Sequence, residues 1–259
     1  MEPMLNQVIA WAKAAGHILR KGYGKSHTVK LKGRIDPVTE IDHLSEAYLV
    51  GQIRDQFPEH TIETEESGLL TGEKTAYWYL DPLDGTTNYA HHLPIFAVSV
   101  AFATAGKVQL GVIYDPMRDE CFSAERGKGA WLNGEKIQVS ATTELIKSLL
   151  VTGFPYQDYA DHRNNLNAFI HFHKISQGVR RLGSAALDLC QVAAGRAEGY
   201  WEQTIRAYDI AAGALIVEEA GGVVTKLDGS PHYLKPPYSI VAGSPAIHAQ
   251  MMQEFAKIQ

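Results

Sequence analysis

Residues 77–92, YWYLDPLDGTTNYAHH, drive an apolar strand into two carboxylates, Asp81 and Asp84, with only Pro82 and Leu83 between them. Gly85 and the hydroxyls of Thr86 and Thr87 follow at once. Pro82 cannot donate a backbone hydrogen bond and disfavours helix for the residue before it, so the strand is predicted to end near Asp81. Gly85 permits a tight turn, and a helix can begin there. Two anions so close repel each other unless something cationic lies between them. Hard divalent cations with oxygen ligands are the natural solution. The N–H groups of Gly85 and Thr86 would then point towards an anion. A site with cations and an anion-binding helix start suits phosphate. A turn in which Asp84 caps the helix and Asp81 is solvated accounts for the same residues, so further elements must decide.

Two other stretches carry acids in telling places. IETEESG, residues 62–68, holds Glu63, Glu65 and Glu66 just before a loop. RAYDIAAGALIVEEAGG, residues 206–222, places Asp209 ahead of a run of helix formers that ends at Gly221-Gly222. There Asp209 occupies an N-cap position beside the positive end of the helix. Taken singly, the first is a solvated acidic surface and the second a helix cap.

Periodicity outlines the rest. Residues 4–21 put Leu5, Ile9, Ala12, Ala15, Ile18 and Leu19 at helical spacing, and residues 38–57 do so with Val38, Ile41, Leu44, Tyr48, Ile53 and Phe57. Strands are predicted from Tyr77 onward, with turns at Gly106 and Asn133-Gly134. After about residue 140 strands and helices alternate, with helices near 161–176, from Ser184 to Ala194, from Ile210 and from Pro245. Residues 1–140 thus look α+β with much antiparallel sheet, and residues 141–259 look α/β. No Pro/Gly/Ser-rich linker divides them, so the two sheets are expected to pack as layers of one unit spanning 1–259.

Composition narrows the function classes. The formal net charge is −5, which offers no basic field for nucleic acid or an anionic membrane. A phosphate ligand would need a local positive source. The longest apolar runs are too short to cross a bilayer. The N-terminal stretch lacks a basic leader with a continuous apolar core, so no secretion signal is expected. Cys121 and Cys190 have neither metal-like nor redox-like spacing and read as reduced residues of a cytoplasmic protein.

Together, Glu65-Glu66-Ser67, the run from Asp81 to Asn88 (DPLDGTTN), and Tyr208-Asp209-Ile210-Ala211-Ala212-Gly213 with Gly221-Gly222 behind it resemble the inositol monophosphatase family. IDPVTEID at 35–42, GVRRLGSAALDLC at 178–190 and GYWE at 199–202 extend the resemblance over nearly the whole chain. DPLDGTTN is a specific signal, whereas EES or YD alone is weak. The resemblance implies alternating layers of helices and sheets, an αβαβα sandwich, and a Mg²⁺-dependent, lithium-sensitive phosphomonoesterase acting as a homodimer.

Carried over to this chain, the family pattern makes Glu65 and Asp81, with the backbone carbonyl of Leu83, ligands of one Mg²⁺. Asp81, Asp84 and Asp209 would hold a second, and a third, weaker site would lean on Glu65; Mn²⁺ is a possible substitute. A metal-bound water is then the nucleophile, oriented and deprotonated by Glu65 and Thr86. The N–H groups of Gly85 and Thr86 hold the phosphate, and the alcohol lies against Gly183, Ser184, Ala185 and Glu202. Asp84 and Asp209 also face the substrate. Tyr208 stands where tryptophan is common, Thr64 where glycine is frequent, and Glu63 is an additional acid.

The leading expectation is hydrolysis of myo-inositol monophosphate or a similar polyol or sugar phosphate. Histidinol phosphate, fructose 1,6-bisphosphate and adenosine 3′,5′-bisphosphate are rivals on the same fold. A regulatory partner of RNA or the transcription machinery is the non-enzymatic alternative, although the acidic balance argues against direct RNA contact. Arg180 is expected to brace the site or a subunit contact. HFH at 171–173 is a weak metal motif, because its histidines diverge by about 200° on a helix. His91-His92 suits a hydrogen-bonding role at the end of the helix that follows Gly85. GEKTAYW at 72–78 lacks the glycine frame of a P-loop.

Overall fold

The structure, a computed structural model, describes residues 3–25, 29–31, 37–154 and 165–258. Residues 32–36 of the loop before the second helix and 161–164 of the helix expected at 161–176 lie outside the described residues. Helix α1 (Leu5–Gly22) buries Val8, Trp11, Ala12, Ala15 and Leu19 on one face, as the periodicity requires, and places Arg20 and Lys21 in its last turn, where cations favour the helix dipole. Two short strands, β1 (Val29–Leu31) and β2 (Pro37–Thr39), pair antiparallel.

Helix α2 (Glu40–Gln56) starts two residues later than expected, and Val38 belongs to β2 instead. The reason is a reciprocal cap. The Thr39 hydroxyl accepts from the Ile41 amide at 3.2 Å, and Asp42 accepts from the Thr39 amide at 2.9 Å. Leu44, counted in the apolar stripe, faces solvent, whereas Asp42, Ser45 and Glu46 are buried.

Two strands around the acidic stretch went unforeseen: β3 (His60–Thr64) and β4 (Gly68–Leu70), a hairpin whose turn carries Glu65. Strand β5 (Glu73–Asp84) lies parallel to β3 and runs on past the predicted end at Asp81. Its pairing with β6 (Ala97–Thr104) resumes after a register shift, from Asp81 opposite Ser99 to Asp84 opposite Ala97. One extra residue sits on the β5 side, a bulge that re-aims the strand where the two carboxylates emerge. Helix α3 (Thr86–Ala90) follows directly.

An eight-stranded sheet is completed by β7 (Lys107–Asp115), β8 (Glu120–Glu125), β9 (Gly129–Leu132) and β10 (Glu135–Lys136), in the order β10-β9-β8-β7-β6-β5-β3-β4. The second half supplies β11 (Leu149–Thr152), α4 (Leu166–Ile175), β12 (Gly178–Arg180), α5 (Ala185–Ala193), β13 (Gly199–Glu202), α6 (Ala207–Glu219), β14 (Val223–Thr225), β15 (Ile240–Gly243) and α7 (Pro245–Ile258). Its five strands order as β12-β11-β13-β15-β14, with parallel pairs around β11 and antiparallel pairs around β15.

Five layers result. Helices α1 and α2 cover one face of the large sheet, α5 and α6 lie between the sheets, and α4 and α7 cover the outer face of the small one. The period of two along β6 shows why. Val98, Val100 and Phe102 join the core beneath α1 and α2, while Ala97, Ala101 and Ala103 meet the core around α5 and α6. Small side chains on that second face let α6 approach closely. At Gly111 of β7 a Cβ would stand 2.8 Å from the Ala212 carbonyl oxygen, so only glycine fits. The expected αβαβα arrangement is the one observed.

Candidate active site

The turn after β5 is gripped from two sides. On the α2 side, the Ser45 hydroxyl donates to the Pro82 carbonyl at 2.8 Å. The Thr86 hydroxyl lies 3.1 Å from an Asp42 oxygen and 3.0 Å from the Leu83 carbonyl, and its single proton can serve either. On the α5 side, Asp84 accepts from the Ser184 hydroxyl at 2.5 Å and the Ala186 amide at 2.8 Å. Asn88 donates to the Ile95 and Leu182 carbonyls, both at 2.8 Å, and ties the turn to the approach of α5. Asp81 is buried and accepts from the Leu83 amide at 3.0 Å. Gly85 holds φ at 95°, and a Cβ there would meet the Ile95 carbonyl oxygen at 2.9 Å. Any other residue would strain the backbone and crowd the turn.

Asp209 reaches the same place from α6. It was expected as an N-cap; instead the helix begins at Ala207, and Asp209 is its third residue, accepting from the Arg206 amide at 2.8 Å. The cap acts from inside the helix, so one Asp209 oxygen is occupied while the residue still lines the cavity.

That cavity measures about 280 Å³. Glu65, Asp84, Asp209, Gly183, Ser184, Ala185 and Glu202, all named from the sequence, line it. Asp81 is hydrogen-bonded to Glu65 beneath its surface, and Leu83, Gly85 and Thr86 form the adjoining turn. Arg181 lines the cavity, whereas Arg180, expected to brace the site or a subunit contact, does not line it and donates to the Val179 carbonyl at 3.2 Å. Arg180 ends β12, and Arg181, the first residue after the strand, is the one that lines the cavity. Glu63 points elsewhere and is hydrogen-bonded to Tyr77. His171 contacts Glu254 at 2.7 Å and His173 stacks on Phe169, so HFH joins no metal site.

The electrostatics are those of crowded like charges. Burial first, then the charges of Glu65, Asp84 and Asp209, push the Asp81 carboxyl well above the usual range. Burial, then Asp84 and Glu65, do the same to Asp209. Asp84 is pushed to about 6, burial outweighing the hydrogen bonds from Ser184 and Ala186. Glu202 is pushed by burial to about 7, against the Tyr200 hydroxyl that donates to it at 2.7 Å.

Three participants escaped the sequence reading. Asp42 stood inside the quoted IDPVTEID, but its partner Thr86 lies far along the chain. Asp188 is buried beside Glu202 and Arg181, with one oxygen lacking a hydrogen-bond partner among the described residues. Its one sequence signal was an acid at the fourth position of a mostly apolar helix. Glu46 had no signal beyond an acid on the core face of α2.

Comparison with known proteins decides the kinship. A sequence model of the inositol monophosphatase family matches residues 1–259. The chain belongs to this family. It is 43% identical to Nus factor SuhB of Escherichia coli (strain K12) over 97% of the chain and 95% of that protein. The structure of an inositol monophosphatase from Anabaena shares 43% identity at a TM-score of 0.89, covering 98% of this chain and 96% of that one. The extragenic suppressor protein suhB from Bartonella henselae, 38% identical, superposes at a TM-score of 0.92 over 97% of this chain and 98% of that one.

Members of the inositol monophosphatase family generally use Mg²⁺, and the donor set here suits hard cations. All the acidic groups are oxygen ligands; Asp81 and Asp84 are buried, Glu65 and Asp209 half-buried, and the charges of Glu65, Asp84 and Asp209 raise the carboxyls around them. Without a cation such a cluster keeps protons. A divalent ion can replace them. Among the described residues no three His, Cys, Asp or Glu side chains close on a single ion. Mg²⁺ is commonly held by one or two carboxylates, with water and substrate phosphate completing its sphere; the Glu65–Asp81 pair fits that mode, whereas a site of three aspartates would have to draw together as the ion binds.

Proposed function

We propose that the chain is a Mg²⁺-dependent phosphomonoesterase that hydrolyses myo-inositol monophosphate or a similar polyol or sugar phosphate. One observation carries this reading: carboxyls from the β3–β4 turn, the end of β5 and the start of α6 meet at one cavity and perturb one another there. Glu65, Asp81 and the Leu83 carbonyl would hold one cation; Asp81, Asp84 and Asp209 a second; Glu65 a third, weaker one. Bound there, such cations supply charge against the phosphoryl oxygens and make water acidic enough to attack.

The protein's own groups do the rest. Thr86, hydrogen-bonded to Asp42, orients the attacking water, and the buried Asp42 carboxyl, raised by its burial, can take up the proton that Thr86 relays. Glu65 shares that role from the opposite turn. The Gly85 and Thr86 amides receive the phosphoryl oxygens. Ser184 and Ala185 shape the floor, and Glu202 accepts from hydroxyls of the leaving alcohol. Asp188 adds a second carboxyl beneath the same wall, which favours an alcohol rich in hydroxyl donors over an apolar one.

Phosphate release from a panel of esters, with and without Mg²⁺, tests the reading. Inositol monophosphate should give the highest kcat/KM, ahead of histidinol phosphate, fructose 1,6-bisphosphate and adenosine 3′,5′-bisphosphate, and lithium should inhibit. No release from any ester with Mg²⁺ would overturn it. The Nus factor name of the E. coli relative favours a second reading, a regulatory partner of the transcription machinery, which a catalytically silent chain would leave standing. A cytoplasmic setting agrees with two free, buried cysteines, and no helix among the described residues is long and apolar enough to cross a membrane. A homodimer would cover the exposed Ile170 of α4; light scattering tests it.

A further inference from the structure

Helix α2 presents Asp42, Ser45 and Glu46 on one buried face, at the i, i+3, i+4 spacing that aligns side chains on a helix. Asp42 and Ser45 hold the turn after β5. Glu46 faces the other turn. One of its oxygens accepts from the Thr64 hydroxyl at 2.6 Å, the Glu66 amide at 3.1 Å and the Ser67 amide at 3.4 Å. The other accepts from the Ser67 hydroxyl. All four donors bracket Glu65, and Glu46 itself is only 5% exposed. Amide N–H groups can only donate, so an acceptor-only carboxylate is the group that satisfies this ring.

We propose that Glu46 is a positioning residue that fixes the Glu65 turn against the Asp81–Asp84 turn, with α2 as the common jig, and so sets the affinity of the site for divalent cations. The proposal rests on the hydrolase reading above. Its physical basis is that a ligand on a hairpin turn gains from being held in place before the ion arrives, because the ion then need not order it. Thr64 gains a purpose by the same geometry: its hydroxyl adds a bond to the clamp.

The test is Glu46→Gln, which keeps the shape but removes the charge that strengthens all four hydrogen bonds. Mn²⁺ binding followed by electron paramagnetic resonance should weaken about tenfold or more. The Mg²⁺ concentration for half-maximal phosphate release should rise in proportion, while kcat at saturating Mg²⁺ largely recovers. Hydrogen exchange at the Glu66 and Ser67 amides should accelerate. Should Glu46→Gln not fold, Thr64→Val removes one donor and should shift the same quantities in the same direction, by less. Unchanged Mn²⁺ affinity in a variant whose Glu66 and Ser67 amides exchange faster would overturn the proposal, as would unchanged exchange. Wild-type protein that binds no Mn²⁺ would overturn the hydrolase reading and this proposal together. Failure of the proposal alone leaves the wild type binding normally.

Discussion

Asp81 stands where three other carboxyls raise its proton affinity, so its charge matters more than its shape. Asp81→Asn preserves the volume and removes the charge; turnover with Mg²⁺ should fall at least about a hundredfold. Wild-type kcat in a phosphate-release assay would refute the ligand assignment. Glu202 makes a separate statement about pH. Its carboxyl rises from an ordinary 4.5 to about 7 on burial, so the folded chain holds a proton that the unfolded chain releases. The associated stability is complete below the unfolded value and is lost as pH rises from about 4.5 to about 7. Thermal melts in chelator across that window should show a declining Tm, and Glu202→Gln should make the decline shallower, the remainder coming from Asp84 and the other raised carboxyls; parallel curves would count against it. The ligand residues were legible because DPLDGTTN concentrates them in one short run. Asp42 and Glu46 were not, since an acid on a helix acquires its meaning from the donors it meets, and those lie on other elements.

Elements were read well where local chemistry sets their limits. Ser184, whose hydroxyl accepts from the Leu187 amide at 3.3 Å, caps α5, and the helix was expected within a residue of where it lies. Helix α6 misled by three residues, because its capping acid sits inside rather than ahead of it. Strands β3 and β4 were missed because HTIET and GLL are short, and the pairing of β3 with β5 and of β4 with β3 defines them more than their own pattern does. The seat of α6 on β7 is a sharper constraint. Gly111→Ala would force a methyl against the Ala212 backbone, so α6 must move. A loss of about 1–3 kcal/mol in urea unfolding is expected, with weaker Mn²⁺ binding because Asp209 rides on the same helix. Unaltered stability would mean that the layers are not locked there.

At the scale of the whole molecule, the acidic centre sits where both halves of the chain meet, and cation binding should act on the fold as a whole. Mg²⁺ at a hundred times its dissociation constant should add about 2.7 kcal/mol, seen as a Tm several degrees above that in chelator. A Tm indifferent to Mg²⁺ and Mn²⁺ would argue against any site that forms only on folding. By itself the sequence determined most helices to within a few residues, the alternation of the long strands, the layered class and the identity of the acidic residues, because each depends on neighbours a few positions apart. Tertiary structure alone decided that α2 carries the polar face joining two turns, that Arg181 rather than Arg180 meets the cavity, and how strongly the carboxyls disturb one another. Those outcomes depend on burial and on hydrogen bonds between remote segments, and neither exists until the layers close.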